Sequence, residues 1–271
     1  MTQAQKIIKY LAIAFAVFLI VTIISAILGG IYGLSGVLGL RKDNEIIGEM
    51  RKIELENSEV LSLDIDVACT NLSFKIGDSL NVETNNNNIK CNQNNQNLQI
   101  KEKSRNLFGR NNVGDLIIYI PETMEFEKIK INAGAGKINI ENLNSKELDL
   151  ELGAGETEIK NLNVTKNCNL EGGAGKVSIL SGKINNLNFD MGFGETNLTA
   201  SLNGESSIEA GVGNVNVNLL GEKQGYQVKI DKGLGNVSLD GEKLDISKVY
   251  GTGENYIKID GGVGNIKVDF E

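Results

Sequence analysis

The sequence has no histidine and no tryptophan, and in 271 residues it has a single proline (Pro121) and three cysteines. Without histidine there is no side chain that titrates unperturbed near neutrality, so Ser-His and Cys-His nucleophile systems and histidine zinc sites are excluded. Cys69, Cys91 and Cys168 show no C-x-x-C spacing and make no disulfide framework. Cys168 falls at a core position of the repeat described below, which leaves Cys69 and Cys91 as the pair free to bridge. Arginine is scarce as well: beyond residue 42 only Arg51, Arg105 and Arg110 remain. Carboxylate or phosphate clamps built on guanidinium forks are therefore missing from most of the chain. What the sequence does hold is 32 glycines among many Val, Ile and Asn, the composition of short strands joined by tight turns.

Charge is unevenly spread. The net charge is −8, yet residues 1–42 carry Lys6, Lys9, Arg41 and Lys42 and no acid, which leaves −12 for the remainder. An acidic domain of this kind is a poor nucleic-acid binder and is repelled by anionic lipid heads. From Tyr10 to Leu40 there is no charged residue. A spanning helix needs roughly 20 apolar residues, whereas the core of a cleaved signal peptide needs only about 7–15. The run fits a single-pass transmembrane anchor over residues 10–40, the alternative being a cleaved signal. Lys6 and Lys9 favour a cytoplasmic start, against Arg41 and Lys42 on the other side, so the rest of the chain is expected outside the cytoplasm. The expected organisation is a tail and anchor at 1–42, a juxtamembrane linker at 43–57, and one domain at 58–271, irregular over 58–130 and regular over 131–271.

The regular part is a repeat. Gly-Φ-Gly, where Φ is apolar, begins at Gly134, Gly153, Gly173, Gly192, Gly211, Gly233 and Gly262, with gaps of 19, 20, 19, 19, 22 and 29 residues. The longer gaps predict insertions near 218–227 and 240–256. Three positions before the first glycine stand Ile131, Leu150, Leu170, Phe189, Ile208, Ile230 and Ile259, and four past it stand Ile138, Thr157, Val177, Thr196, Val215, Val237 and Ile266. Apolar residues alternate with period two on both sides, so each repeat is strand, corner, strand. The fold class is all-β: a β-solenoid with coils of about 19–20 residues, following the N-terminal helix. The glycines supply the conformation that changes the parity of the apolar face, and Φ (Ala135, Ala154, Ala174, Phe193, Val212, Leu234, Val263) is expected to point inward at the bend. The residue after the second glycine reads Lys137, Glu156, Lys176, Glu195, Asn214, Asn236, Asn265. If coils stack about 4.8 Å apart, this is an outward row of alternating charges followed by an asparagine ladder. Leu63, Ile65 and Val67 with Thr70–Phe74 repeat the pattern in degenerate form. Residues 85–97 read as an Asn-rich loop, and 116–120 as a strand leading into the regular coils.

Isolated Gly-x-Gly suggests a dinucleotide turn, but here it recurs seven times, is followed by strands and opens no helix. Gly172–Gly175 and Gly261–Gly264 resemble a calcium nonapeptide, yet Val177 and Ile266 occupy the position that needs aspartate. One column invites a function. Two positions before the first glycine stand Asn132, Glu151, Glu171, Asp190, Glu209, Asp231 and Asp260. Stacked carboxylates at this spacing repel by roughly 1 kcal/mol per pair even in water. Three offsets are open: hydrogen bonds from the amides of each glycine corner, a divalent-cation ladder, or a docking strip for a basic partner. No cofactor and no catalytic residue is expected. The last coil runs to Glu271 without a polar cap, so either the 240–256 insertion covers it or its edge serves self-association.

A lead-in with Ile120-Pro121-Glu122, then repeats such as Ile131-Asn132-Ala133-Gly134-Ala135-Gly136-Lys137-Ile138-Asn139-Ile140, resembles the bacterial "putative adhesin" domain-of-unknown-function family, which is similar to the toast-rack domains of envelope-stress membrane proteins. The resemblance covers roughly residues 58–270. It implies a β-solenoid on the bacterial cell envelope and a part in binding or signalling, with no catalytic residues to carry over. The functions to weigh are a surface domain that binds or scaffolds another envelope protein, an envelope-stress component acting through a membrane partner, and a polysaccharide-active β-helix enzyme. The last lacks the aromatic platforms and basic groove it would need.

Overall fold

The computed structural model describes residues 47–55, 59–103, 113–231, 233–244 and 248–271. The anchor segment 10–40 lies outside the described residues, and among those described no helix is long and apolar enough to cross a membrane. The described chain is all-β and mostly parallel. Strands Glu125–Ile140, Leu143–Ile159, Leu162–Ile179, Leu187–Asn203 and Glu205–Leu219 lie rung upon rung, each paired in parallel with the next. The register is that of the repeat: Ile131, Leu150, Leu170, Phe189 and Ile208 are successive partners, and all are buried. Burying each such side chain is worth about 1.5–3 kcal/mol. A slip of one residue would turn the whole column to solvent, so the alternation fixes the register.

The parity change sits where the glycines are. The second glycine of every corner has φ between +137° and +150°, a region that side chains with a Cβ rarely enter. Space forbids a side chain there too: a Cβ on Gly175 would lie 1.9 Å from the carbonyl oxygen of Gly155, and one on Gly194 1.8 Å from that of Gly175. The expectation for Φ is corrected. Phe193 is 51% exposed, and Ala154 and Ala174 are exposed as well. The inward-facing residue is instead the one before the first glycine (Ala133, Leu152, Met191, Ala210), packed on the core. The corner is convex outward over its four residues, so inward parity stops before the first glycine and resumes four positions past it.

Both ends of the stack depart from chain order. At the N-terminal end, strands Ser62–Val67 and Thr70–Ile76 form a rung held between Glu125–Ile140 on one side and Asn97–Glu102 with Gly114–Ile120 on the other, all parallel. Residues 116–120 are thus part of an outer rung rather than a lead-in. Antiparallel strands close this end: Asn81–Asn86 pairs with Gly114–Ile120, Ile89–Asn94 with Asn97–Glu102, and Ile47–Ile53 with Asn81–Asn86. Two expectations are corrected by this. Residues 47–53 are a strand of the sheet rather than linker, secured by the Arg51 guanidinium donating to the carbonyls of Asn86 and Ile89. The Asn-rich stretch is a hairpin, because its asparagines supply turn conformations (Asn95, φ 54°) and side-chain hydrogen bonds (Asn86 Nδ2 to Thr70 Oγ1, 2.8 Å).

At the C-terminal end, strands Asn255–Val263 and Ile266–Phe270 lie between Glu205–Leu219 and the rung Tyr226–Asp231 with Val237–Leu239. The last coil in sequence is therefore internal, and the edge expected there is not an edge: its amides and carbonyls are paired on both sides. The 240–256 insertion does cover the stack, but on the 226–239 rung, with Glu242–Leu244 antiparallel to Val237–Leu239 and Lys248–Tyr250 antiparallel to Tyr226–Asp231. Antiparallel closure gives each end strands that do not continue the parallel repeat. Cys69 and Cys91 are free thiols, so the bridge considered for them is not formed. Burial pushes the Cys91 thiol up to about 11, partly opposed by Arg51, and raises that of fully buried Cys168 further.

Candidate functional site

Stacking brings the acidic column together in an order different from that of the chain. Register partners run Asp66, Asn132, Glu151, Glu171, Asp190, Glu209, Asp260, Asp231. Asp66 went unrecognised in the sequence because its rung carries Ala68-Cys69-Thr70 where the others carry Gly-Φ-Gly. Its place two residues before that triplet was the available signal. The asparagine ladder is likewise reordered: Asn265 donates to Asn214 and Asn236 donates to Asn265. Next to it the alternating charges pair, Lys137 with Glu156 at 3.4 Å and Lys176 with Glu195 at 3.4 Å. A hydrogen bond from Asn197 holds the Glu195 carboxyl below the usual range, with burial opposing and Lys176 assisting.

The column's mutual repulsion is met by lysine for half of the carboxylates named from sequence. Lys130 reaches Glu151 at 3.4 Å, Lys229 reaches Asp231 at 2.8 Å, and Lys258 pairs with Asp260. The Lys229 hydrogen bond lowers the Asp231 carboxyl, and burial opposes it. No hydrogen bond runs from the corner amides to these carboxylates among the described residues. Corner amides serve the neighbouring rung instead, as Ala135 N to Ala68 O at 2.9 Å and Leu234 N to Gly262 O at 2.8 Å. Glu171, Asp190 and Glu209 differ from the rest. They are consecutive partners, and none has a lysine in ion-pair range among the described residues. The positions that hold Lys130, Lys229 and Lys258 on other rungs hold Asn169, Asn188 and Ser207 here, and of the three carboxylates Glu209 alone feels Lys258, on the next rung, at longer range.

Beside the column runs an open groove of about 870 Å³, with Asp66, Asn132, Glu151, Glu171 and Asp190 on one wall and the first glycines of the corners along the other. Asn132 Oδ1 is buried at its edge with no hydrogen-bond partner. Beyond the glycines the Φ residues form an outward row in which Ala135, Ala154 and Ala174 give way to Phe193, Val212, Val263 and Leu234. Three bare carboxylates and the onset of a large apolar row thus meet at the Asp190–Phe193 rung. Among the described residues no group of three or more Cys, Asp or Glu is placed to hold a metal ion. Each carboxylate of the column sits on its own rung, and three of them turn to lysine.

The sequence matches a described family. The family model Toastrack DUF4097 matches residues 50–253. The chain belongs to the Toastrack DUF4097 family. Several solved structures are similar to this Toastrack chain. One, a "putative cell adhesion protein" from Clostridium sporogenes, is 20% identical with a TM-score of 0.40, over 82% of this chain and 98% of that one. Another, a "putative adhesin" from Bacteroides fragilis, is 11% identical with a TM-score of 0.42, over 81% and 97%. A third, a "putative adhesin" from Parabacteroides distasonis, is 12% identical with a TM-score of 0.39, over 81% and 97%. No curated protein matches the chain.

Proposed function

We propose that this Toastrack protein is a non-catalytic, membrane-anchored domain of the bacterial cell envelope. Its β-solenoid stands outside the cytoplasm and binds or scaffolds another envelope protein. One observation carries the reading: among the described residues Glu171, Asp190 and Glu209 form an acidic strip with no lysine in ion-pair range, while Glu151, Asp231 and Asp260 of the same column are matched by lysine. A strip left bare beside an exposed Phe193 suits a partner segment with basic and apolar side chains, because binding relieves the repulsion and covers the ring. The uncharged run at 10–40 supports the anchor, and the lack of any histidine in the sequence supports a non-enzymatic role.

A second reading has its own support. Strand Ile47–Ile53 joins the sheet soon after the anchor segment, so a load on the stack would pass to the membrane with little slack. That suits an envelope-stress component signalling through a membrane partner.

The test uses the full chain in bacterial membranes. A zero-length reagent that couples carboxylates to amines is applied to the native chain and to the triple variant Glu171→Gln, Asp190→Asn, Glu209→Gln. The native chain is expected to give a discrete cross-linked species that the triple variant lowers at least tenfold, with the thermal transition of the domain unchanged or raised. An unchanged cross-linked set in the triple variant would remove the acidic strip from the function.

A further inference from the structure

A second cavity lies under the antiparallel cover of the 226–239 rung. Leu239 and Glu242 are register partners joined by Asp240-Gly241, with φ values of +53° and +78°. This is the two-residue hairpin turn that Asp-Gly favours. Opposite its tip runs the link 220–225, which carries Lys223 on a 3₁₀ turn. Between them is a cleft of about 230 Å³. It shares no residue with the acidic groove, and it lies at the end of the stack opposite strand Ile47–Ile53.

Aromatic rings gather there in a chain that has few. Of the ten Phe and Tyr beyond residue 42, Tyr226, Tyr250 and Phe270 line this one cleft. The sequence hides the grouping, because Phe270 arrives from the inserted rung, well after the two tyrosines. The Tyr226 and Phe270 ring centroids are 6.0 Å apart, tilted by 44°. The Tyr226 hydroxyl is committed, donating to the Leu220 carbonyl at 2.7 Å, so what this residue offers the cleft is its ring. Buried Leu239 and Leu244 complete an apolar floor. The mouth is polar and carries both signs. Lys223 Nζ lies 5.2 Å from the Phe270 ring centroid and pairs with Asp240, and Glu242 lines the same opening. The paired side chains stay about half exposed, at 56% and 46%.

We propose that this cleft is a carbohydrate site and that it takes one neutral pyranose ring. Floor, rings and mouth select that chemistry together. An anion at the mouth meets Asp240 and Glu242, and a cation meets Lys223, which already lies over Phe270. A wholly apolar ligand strips water from the charged groups without replacing their hydrogen bonds. A pyranose does neither. Its electropositive C–H face suits the negative faces of the aromatic rings. Its hydroxyls donate to carboxylates and accept from an ammonium, in hydrogen bonds roughly twice as strong as neutral ones. The volume falls below the roughly 300–1,000 Å³ of a drug-sized pocket, so it suits a single ring rather than a length of chain. The inference needs neither the acidic strip nor the membrane anchor.

The experiment uses saturation-transfer NMR on the full chain in lipid nanodiscs. The probes are glucose, galactose and N-acetylglucosamine, each beside its methyl glycoside so that a chain end is told from a free sugar. At least one is expected to bind with a dissociation constant of roughly 10 mM or tighter, and the matching amino sugar and uronic acid at least fivefold more weakly. Two variants locate the binding. Phe270→Leu keeps an apolar side chain and removes the ring. Asp240→Asn removes the charge from an exposed turn whose positive φ asparagine tolerates, as Asn95 and Asn186 do here. Each variant that retains the native thermal transition should bind at least tenfold more weakly, and exposed Asp240 keeps the test open should Phe270→Leu not fold. Binding of none of the neutral sugars, equal binding of the charged ones, or undiminished binding in a folded variant would overturn the assignment.

Discussion

Alanine at Gly194 is expected to destabilise the domain by at least about 3 kcal/mol. Two costs combine. A non-glycine residue at φ +139° is strained by about 1–3 kcal/mol. Its Cβ would also stand 1.8 Å from the carbonyl oxygen of Gly175, a backbone atom that cannot swing aside. Relief requires the rungs to separate, which breaks parallel hydrogen bonds on both sides of the corner. For a domain of this size the melting temperature should fall by roughly 6–12 °C. Phe193→Ala, one residue away but outward, should stay within about 0.5 kcal/mol of the parent. Thermal unfolding of the two variants side by side checks the corner, and equal behaviour of both would show that the glycines are not stacked backbone on backbone.

Glu102→Ala should cost at least as much, about 3–5 kcal/mol, because several donors lose one shared acceptor at about 1–3 kcal/mol each. The reason lies in how the first corner is finished. Among the described residues the strands of the outer rung end at Glu102 and resume at Gly114, and none stands there to receive the amides of the 62–76 corner. Glu102, only 5% exposed, takes that place: Ala68 N and Cys69 N donate to its Oε2 at 2.8 and 3.0 Å, Thr70 Oγ1 at 3.3 Å, and Asn86 Nδ2 donates to its Oε1 at 3.3 Å. Alanine leaves two backbone amides without their acceptor in a half-buried corner. Glu102→Gln keeps one carbonyl oxygen and should lose roughly half as much. A chemical-denaturation series over the three proteins decides, and a Glu102→Ala midpoint equal to the parent's would show that these amides find other acceptors.

The repeats from Gly134 to Gly211 were legible because each level of the sequence agreed with the next. Alternating apolar residues set the strands, a fixed glycine pair set the corner, and the Lys137-Glu156-Lys176-Glu195 row set the stacking. The two ends were hidden for a physical reason. Parallel columns look the same from either neighbour, so Asn214 accepts Asn265 as readily as Asn236, and sequence spacing cannot say which comes next. The N-terminal rungs were obscured because buried polar side chains replace glycines there: Glu102, accepting, and Asn86, donating, do in three dimensions what Gly-Φ-Gly does along the chain. Of the candidate site, the carboxylates could be read directly. The bare stretch at Glu171, Asp190 and Glu209 emerged only when register placed lysines beside the others. The orientation of Φ was misread because the convex corner suspends alternation for four residues, which no periodicity reveals.

Rung order is tested most directly by paired cysteines on the asparagine ladder, in chains with Cys69 and Cys91 changed to serine. Three double variants place cysteine at 214 and 265, at 236 and 265, or at 214 and 236. Neighbouring rungs about 4.8 Å apart suit a disulfide, whereas positions two rungs apart exceed the roughly 7 Å limit on Cα separation. The stack described here requires rapid bonding in the first two variants and none in the third. Rapid bonding between 214 and 236 with none between 214 and 265 would mean that the coils follow chain order, and that the C-terminal rung is not inserted.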